Sequence, residues 1–412
     1  MTDILVLGAG MVGVATALAL QADGHSVTIL DRAAPGQGAS YGNAGIIQVE
    51  AVEPYALPRA PATLLRFALK RDNAVNYHLS ALPGAAWPLW SYFLNSAPAR
   101  HRQISAAYRR IIQRSGQDHD RLITAAGAEA LIRRTGFLQV YRDGFGFDEG
   151  REEAGRLRDD YGVALRILDP RTLRQEEPAL QRDFAGAIHW TDSRTCRDPG
   201  ALVQAYAAFF EQNGGRIERG TIVGLARSGA GWRIALAEGG AFEAGQVVVA
   251  LGADTPGLLA GIGLHIPMVR KRGYHRHYQS AEPPQKPIFD VGASVLYCPM
   301  AAGVRITSGA EIARPGAGLT PVQLARGESA AQEVLKLGAP VEAEPWAGWR
   351  PCMPDMLPVI GALPGQKGLW ANFGHGHQGF TLGPTTGLVL ADLIAGRAPF
   401  CDPLPYSAAR FG

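Results

Sequence analysis

The chain has 412 residues, enough for two or three domains with separate cores. Its 40 Lys and Arg exceed its 37 Asp and Glu by three, a weak balance that argues against a dedicated nucleic-acid-binding protein. The four cysteines form no Cys-x-x-Cys pair, so we predict no disulfide framework, no metal site and a reducing, cytoplasmic location. No stretch reaches the roughly 20 apolar residues of a membrane span, so we expect at most peripheral contact with the inner face of a membrane.

The first third of the chain predicts a parallel sheet followed by inserted helices. Residues 4–7 are an apolar run that predicts a buried strand, a helix follows as far as residue 20, and residues 26–30 predict the next strand. Residues 40–47 predict a glycine-rich loop. Between residues 64 and 135 apolar residues recur at helical spacing, which predicts helices inserted into the α/β pattern.

The middle of the chain alternates between two kinds of structure. Residues 137–141 predict a strand and residues 149–161 a charged helix, which together indicate an α+β region. Asp198 is suited to cap a helix that begins at Pro199 and ends before Gly214. The strands predicted after this helix are a meander at 221–225, 232–236 and 241–242, and a parallel strand at 247–250.

The last part of the chain returns to both kinds of sheet. Residues 269–312 predict a second antiparallel block, and residues 369–373 a further strand. A glycine-rich loop at 374–379 precedes a helix predicted from about Pro384 to residue 394. Because the sheet segments come from separate stretches and no repeat is visible, the sequence predicts two interleaved domains.

A glycine-rich motif stands where the first strand meets the first helix. In Gly8-Ala9-Gly10-Met11-Val12-Gly13 the first glycine permits a tight turn, the second lets a pyrophosphate approach the backbone, and the third lets helix and strand pack closely. Asp31 ends the second strand, where a carboxylate can accept hydrogen bonds from a ribose diol and would repel a 2′-phosphate. The motif therefore predicts bound FAD or NAD rather than NADP.

The rest of the chain favours FAD over NAD. Glycine-rich elements return at 247–252 and 374–379, and a simple NAD dehydrogenase has no need of them. The helix after the second element could direct its N-terminal dipole at a flavin ring. No second dinucleotide motif is visible, so we expect electrons to come from an organic substrate and to leave to a quinone, an electron-transfer protein or dioxygen.

Several further motifs point to one family. They are GAGMVG with Asp31 and Arg32, SYGNAG at 40–45, RGY at 272–274, GWRP at 348–351, PVIG at 358–361 and GHGHQGFTLGPTTG at 374–387. Over nearly its full length the chain resembles the FAD-dependent amine and amino-acid oxidoreductases, which include D-amino-acid oxidase, glycine and sarcosine oxidases and bacterial D-amino-acid dehydrogenases. SYGNAG and GHGHQG are most similar to dehydrogenases of D-proline or hydroxy-D-proline. Asp31 replaces the commoner glutamate, which shortens the ribose contact.

This resemblance implies a fold and a reaction. The fold is α/β, with a Rossmann-type FAD-binding domain interleaved with an α+β substrate-binding domain that contains a mixed or antiparallel sheet. We assign residues 1–78, 184–262 and 345–412 to the FAD-binding domain, and residues 79–183 and 263–344 to the substrate-binding domain. The reaction is oxidation of a D-amino acid, D-proline or hydroxy-D-proline above all, by hydride transfer from Cα to flavin N5, which leaves an imino acid.

Four residues are candidates for contact with the substrate. Arg350 offers a planar guanidinium for a carboxylate, as the matching arginine of the family does. Tyr274 and His275 alternate faces on one strand, so only one of them can face the flavin, and the resemblance favours Tyr274. His377, like its neighbour His375, could donate a hydrogen bond to flavin or substrate.

The residues expected to bind FAD lie in the motifs above and in the strands beside them. They are Gly8, Gly10, Met11, Val12, Gly13, Asp31, Arg32, Ser40, Asn43, Ala44, Gly45, Ile46, Val223, Ala250, Gly252, Gly376, His377, Gln378, Gly379, Phe380 and Thr381.

Three alternatives stay open at this point. A secondary-amine oxidase of the sarcosine or glycine oxidase type would release peroxide during aerobic turnover. A flavin-containing tRNA-modification or binding protein would need a basic surface or an extra domain, which a net charge of +3 does not indicate. A non-enzymatic NAD-binding module would lack the yellow colour of a flavoprotein. The sequence makes no prediction of the oligomeric state.

Overall fold

Strands and helices alternate through most of the chain. The computed structural model describes residues 3–411. Its strands are β1 (Asp3–Leu7), β2 (Ser26–Asp31), β3 (Ile46–Ile47), β4 (Val75–Tyr77), β5 (Ile132–Arg133), β6 (Phe137–Tyr141), β7 (Leu165–Leu168), β8 (Gly186–Trp190), β9 (Arg194–Cys196), β10 (Arg216–Arg219), β11 (Ile222–Ser228), β12 (Gly231–Leu236), β13 (Ala241–Ala244), β14 (Gln246–Val249), β15 (Val269–Tyr278), β16 (Ile288–Asp290), β17 (Val295–Met300), β18 (Gly303–Ile312), β19 (Trp346–Cys352), β20 (Val359–Ala362) and β21 (Leu369–Phe373). Its α-helices are α1 (Met11–Ala22), α2 (Pro61–Ala68), α3 (Leu82–Asn95), α4 (Pro98–Ala125), α5 (Gly144–Tyr161), α6 (Pro170–Glu176), α7 (Pro199–Gln212), α8 (Thr255–Ala260), α9 (Val322–Val334) and α10 (Gly379–Ile394).

The predicted parallel sheet has six strands in the order β10-β2-β1-β14-β21-β20. Every neighbouring pair is parallel except β20 with β21. The strands come from separate stretches of the chain, as predicted. β1 and β14 are almost completely buried, because α1 and α10 cover one face of the sheet and the strands β11, β12 and β13 cover the other. The predicted meander is also present, as the separate sheet β11-β12-β13.

Helices α1 and α10 pack side by side against this sheet. Gly383 and Gly387 make the contact possible: a Cβ on Gly383 would lie 2.8 Å from Met11 Cγ, and one on Gly387 would lie 3.0 Å from the Ala15 carbonyl oxygen. Because the contacts advance along both helices in the same direction, the helices run parallel. Their N termini therefore lie at the same edge of the sheet.

The second large sheet has nine strands and mixed pairing. Its main path is β19-β15-β18-β17-β16-β6-β8-β7, with β4 beside β18. Strands β15 to β18 pair antiparallel, as predicted for residues 269–312. The predicted domain boundaries are wrong for three strands, because β4, β8 and β19 pair in this sheet although their residues were assigned to the FAD-binding domain. Short apolar strands do not reveal which sheet they join.

Helix α10 begins five residues earlier than predicted. It starts at Gly379 and continues through Pro384, where a break was expected because proline has no N–H for the carbonyl of Phe380. Nε2 of His119 on α4 lies 2.9 Å from that carbonyl oxygen and donates to it instead. Burial lowers the pKa of His119 to about 4, so the ring is neutral near pH 7. A tertiary contact thus allows the proline inside the helix.

The predicted helical insertion at residues 64–135 is only partly helical. It contains α2, α3 and α4, but also β4 and the two-residue strand β5. None of the helices within residues 3–411 is long and apolar enough to cross a membrane.

Candidate active site

One large cavity lies where the two sheets meet. Its volume is about 1360 Å³, above the usual range for a single small ligand and large enough for a dinucleotide together with a substrate. One part of the wall comes from the glycine-rich turn after β1 and from the end of β2. Another part comes from β15 and β19 of the nine-stranded sheet and from the loop before α10.

The turn after β1 brings backbone from three elements together. Gly8 has φ +115°, and a Cβ there would lie 2.5 Å from the carbonyl oxygen of Ala250. A Cβ on Gly13 would overlap the carbonyl oxygen of Gly8, so the helix can pack onto the strand only without a side chain here. Both glycines therefore do what the motif predicts for them.

The N terminus of α1 opens into the cavity and fits an anion. Its N-cap, Gly10, supplies no capping side chain, and the first turn carries no acidic residue. The Met11 N–H donates to Ser40 Oγ at 2.9 Å. Because a helix N terminus favours negative charge, this cradle fits the pyrophosphate of a dinucleotide.

Asp31 stands at the end of β2, as the motif requires. Its Oδ2 accepts from the Ala9 N–H at 2.7 Å and its Oδ1 from the Ala33 N–H at 2.9 Å. Each oxygen keeps a second lone pair, so the carboxylate can still accept from a ribose hydroxyl. The neighbouring Arg32 forms an exposed ion pair with Asp254 at 2.9 Å, and both side chains line the cavity.

The loop at 40–47 is held by a buried arginine on β18. Nη1 of Arg305 donates to the carbonyl oxygen of Tyr41 at 2.8 Å and to that of Asn43. Oδ1 of Asn43 in turn accepts from the Gly45 N–H at 2.8 Å. Arg305 therefore acts as a positioning residue for the SYGNAG loop, a role that the sequence did not reveal.

The second glycine-rich loop leads into α10. Gly376 N–H donates to the Pro351 carbonyl oxygen at 2.9 Å, which ties this loop to the end of β19. The N-cap Gln378 provides no capping side chain, and the first turn of α10 has no acidic residue. Gly379 and Phe380 of that turn line the cavity, so a second helix N terminus opens into it.

Most of the residues predicted to bind FAD lie on the cavity wall. Four are buried behind it and so do not line it: Gly13, Gly45, Gln378 and Thr381. Gln378 joins a hydrogen-bond chain there, accepting from Thr381 Oγ1 and donating to Gln48 Oε1, each at 2.8 Å.

Arg350 extends from β19 into the cavity wall without an acidic partner. Its Nη1 donates to the Gly309 carbonyl oxygen at 2.9 Å, and no carboxylate among residues 3–411 balances its charge. Burial lowers its pKa, because removing the charge from water costs free energy that none of the described carboxylates offsets. Gly273 on the neighbouring strand makes room for the guanidinium, since a Cβ there would overlap it.

Two other arginines of this sheet are buried and already have partners. Arg272 donates to Glu311 Oε2 at 2.6 Å and to the carbonyl oxygens of Ala317 and Gly318. Arg305 is committed to the SYGNAG loop and to Nε2 of His277 at 3.0 Å. Arg350 is thus the one of the three that is free to bind an anion from outside.

Lys271 is a second cation beside Arg350 that the sequence analysis missed. The two residues stand directly opposite each other on β15 and β19, so both side chains project from the same face of the sheet. Lys271 Nζ lies 4.5 Å from the centre of the Tyr92 ring, a cation–π contact. Two neighbouring cations repel each other unless an anion binds between them. Only the strand register reveals that Lys271 and Arg350 are neighbours.

His377 faces these two cations. Its pKa lies well below the ordinary value because of burial, with Arg350 and Lys271 adding to the effect. The ring is therefore neutral near pH 7 and can accept a hydrogen bond. Tyr55, a further residue that the sequence did not indicate, meets it edge-on at 5.5 Å between ring centres. The ring of His375 is engaged elsewhere, because its Nε2 lies 3.0 Å from Thr386 Oγ1.

Tyr274 and His275 point to opposite faces of β15, as the strand period predicts. The Tyr274 hydroxyl donates to Glu311 Oε2 at 2.6 Å and accepts from the Thr320 N–H at 3.0 Å, so it is not free to close over a substrate. His275 stacks on Trp346 with 4.9 Å between ring centres and does not line the cavity. The structure therefore gives His275 no contact with a ligand in this cavity.

Glu50 is a buried carboxyl group on the cavity wall that sequence reasoning also missed. Oε1 accepts from Gln48 Nε2 at 2.9 Å, and Oε2 accepts from the Ser193 hydroxyl. Burial raises its pKa from 4.5 to about 7 despite these bonds. Through Gln48, Glu50 joins the series of hydrogen bonds that continues to Gln378 and Thr381 at the start of α10.

Comparison with known proteins agrees with this site. Residues 3–393 match the family model described as FAD dependent oxidoreductase. The chain is 32% identical to a D-amino-acid oxidase of Bradyrhizobium diazoefficiens, over 99% of this chain and 98% of that protein. It is 33% identical to a D-amino acid dehydrogenase of Cereibacter sphaeroides, over 99% and 95%. The glycine oxidase structure from Geobacillus kaustophilus superposes with a TM-score of 0.73 and 20% identity, covering 99% of this chain and 98% of that one, which agrees with the predicted fold. The chain therefore belongs to the family of FAD-dependent oxidoreductases that includes the D-amino-acid oxidases and dehydrogenases, and it is an oxidoreductase with FAD as its cofactor.

Proposed function

We propose that the protein oxidises a D-amino acid to the imino acid, with D-proline or hydroxy-D-proline as preferred substrates. The observation that carries the proposal is Arg350, a half-buried guanidinium on the cavity wall that has no carboxylate partner of its own within residues 3–411. An amino acid supplies that carboxylate. The relatives named D-amino-acid oxidase and D-amino acid dehydrogenase, which match nearly the whole chain, support this substrate class.

The cofactor-binding residues fall into two groups under this proposal. The N terminus of α1 with Ser40 holds the pyrophosphate, and Asp31 holds a ribose. The SYGNAG loop and the loop before α10 hold the flavin end. When bound, FAD supplies at N5 the acceptor for the hydride that leaves the substrate Cα.

The protein's own side chains orient the substrate. Arg350 binds the carboxylate through two parallel N–H donors, and this fixes the substrate against the cavity wall. Arg350 and Lys271 together disfavour a third positive charge nearby, so they lower the pKa of the substrate ammonium and favour the free amine. His377 is neutral and can accept the amine proton or pass it to water.

The oxidation removes one proton and one hydride from the substrate. The amine nitrogen loses one proton and Cα loses a hydride, so a carbon–nitrogen double bond forms. An acyclic imino acid is then hydrolysed to a 2-oxo acid and ammonia, whereas the imino acid from proline stays a ring. The electrons leave to a quinone, an electron-transfer protein or dioxygen in a second half-reaction. Because the free amine reacts, activity should rise above neutral pH.

The proposed preference for a ring substrate rests on the GHGHQG motif. Apolar residues on the cavity wall support it. Tyr55 contacts His377 and Tyr92 contacts Lys271, and Leu57 also lines the cavity. This apolar surface suits the methylene groups of a pyrrolidine ring.

A substrate panel tests the proposal. The holoenzyme is assayed with the D- and L-forms of proline, hydroxyproline and alanine, using an artificial dye acceptor without oxygen and then oxygen alone. Reduction of the dye by D-proline ahead of D-alanine supports the full proposal. Turnover of L-amino acids only, or of none, would overturn it, and peroxide formation at the same rate with oxygen would make the protein an oxidase.

A further inference from the structure

The first turn of α10 is bonded to the rest of its helix more weakly than an ordinary first turn. In an α-helix the carbonyl oxygen of residue i accepts from the N–H of residue i+4, and Pro384 has no N–H to offer to Phe380. Phe380 is buried, so water cannot replace the missing donor. The first turn therefore depends on partners from outside the helix.

A histidine from α4 supplies the missing donor. Nε2 of His119 lies 2.9 Å from the Phe380 carbonyl oxygen, and the ring is fully buried. Because Nε2 donates and the ring is neutral near pH 7, Nδ1 is an acceptor. The hydroxyl of Tyr206 on α7 lies 3.1 Å from Nδ1 and can donate to it. Both ring nitrogens thus have partners, which fixes the orientation of the ring.

Helix α4 also bonds to α10 beyond the proline. Oδ2 of Asp118, the residue before His119, accepts from Thr385 Oγ1 at 2.8 Å. Both carboxylate and hydroxyl belong to buried residues. Two neighbouring residues of α4 therefore contact α10 on either side of Pro384, and together they hold the first turn in line with the rest of the helix.

The turn held in this way is the part of α10 that meets the cavity. Gly379 and Phe380 line the cavity, and the turn has neither a capping side chain nor an acidic residue. The free N–H groups of a helix N terminus carry partial positive charge, and the effect is confined to the first turn. The direction of this one turn thus decides how strongly α10 favours negative charge in the cavity.

We infer that His119 is a positioning residue for the flavin end of the site. By bonding the Phe380 carbonyl it keeps the first turn of α10 directed at the cavity, and so it raises the reduction potential of bound FAD, which gains negative charge on reduction. The inference rests on the placement of the flavin end under the proposed function. It does not depend on which amino acid the enzyme oxidises.

The reduction potential of bound FAD tests the inference without a substrate. The holoenzyme is equilibrated with a reference dye during slow chemical reduction, and both absorbances are followed. In His119→Phe, which keeps a ring but removes the donor, the ratio of reduced to oxidised FAD at a fixed potential should fall about three- to tenfold. For a two-electron couple this is a lowering by about 15–30 mV. His119→Gln keeps an N–H donor and should stay close to the unmodified protein.

A rescue and a matched control separate this role from a general loss of stability. Adding Pro384→Ala to His119→Phe gives the Phe380 carbonyl an N–H from its own helix, and it should restore most of the potential. His189 is also buried, with Nε2 2.8 Å from the Thr135 carbonyl oxygen, but it does not line the cavity. His189→Phe should lower the melting temperature and leave the potential unchanged.

Each result supports or overturns the inference. An unchanged potential in His119→Phe, an equal fall in His189→Phe, or no recovery with Pro384→Ala would overturn it. If His119→Phe does not retain FAD, Tyr206→Phe decides, because it removes only the partner of Nδ1: a smaller fall in potential supports the inference, and an unchanged potential overturns it. An unchanged potential in an enzyme that still oxidises D-amino acids would overturn this inference and leave the proposed function standing.

Discussion

Replacing Arg350 by lysine separates its charge from its geometry. Arg350→Lys keeps one positive charge on the same face of β19, opposite Lys271, but loses the planar pair of donors. The arginine has one donor committed to the Gly309 carbonyl oxygen, and its side chain lines the cavity. The variant should therefore bind a substrate carboxylate through one hydrogen bond in place of two.

The size of the loss follows from one hydrogen bond to a charged group. Such a bond contributes about 1.5–3 kcal/mol, and each 1.4 kcal/mol changes an equilibrium or rate ratio about tenfold. The value of kcat/KM for the best D-amino acid should therefore fall roughly 10- to 150-fold. FAD content should stay unchanged, because the residues that cradle the dinucleotide lie in other loops.

The assay combines kinetics with binding. Dye-linked kcat and KM are measured for the holoenzyme, and the dissociation constant of pyrrole-2-carboxylate, a carboxylate that cannot be oxidised in this way, is measured from flavin absorbance. Arg397→Lys on the surface serves as the matched control, since that arginine is exposed and its ion pairs within residues 3–411 are with Asp23 and Asp392. Unchanged kcat/KM and unchanged binding of the carboxylate in Arg350→Lys would refute the assignment of Arg350 as the carboxylate-binding residue.

Three further substitutions have definite expected results. Gly10→Glu should abolish FAD binding, because it adds bulk and negative charge at the N terminus of α1 where pyrophosphate must lie; a purified variant with the full flavin absorbance would contradict this. Gly273→Ala should displace the Arg350 guanidinium and raise KM about tenfold with little change in thermal stability. Gly155→Ala, which has open space inside helix α5, should leave KM unchanged and raise thermal stability slightly, because alanine favours a helix more than glycine does. Equal KM values for the two variants would show that the guanidinium does not need the space at Gly273. Glu50→Gln should become more stable than the unmodified protein as pH rises. Burial raises the folded pKa of Glu50 from 4.5 to about 7, so the unfolded chain ionises first and the unmodified protein loses up to roughly 3 kcal/mol across that window. Thermal unfolding of both proteins below and above the window measures this, and a stability difference independent of pH would rule it out.

The sequence by itself was sufficient for the features that depend on local spacing. The turn at Gly8 and Gly13, with Asp31 at the end of the next strand, predicts a dinucleotide-binding βαβ unit, and the structure has it at the expected residues. The Asp198 cap and Pro199 start of α7 are also as predicted, with Asp198 Oδ1 accepting from the Ala201 N–H at 2.9 Å. These features could be predicted because residues close together in the sequence supply the interactions that define them.

The tertiary structure alone decided which charged groups are available for chemistry. Arg272, Arg305 and Arg350 are all arginines on neighbouring strands, yet Glu311 and the SYGNAG loop satisfy the first two. Lys271 joins Arg350 only because antiparallel register places the two opposite each other. The same reason explains why α10 continues through Pro384, since His119, more than 250 residues away in the chain, caps the carbonyl that the proline leaves without a donor. Partners so distant in sequence leave no local pattern, so only the folded chain shows which cation lacks a counter-charge and can bind a substrate.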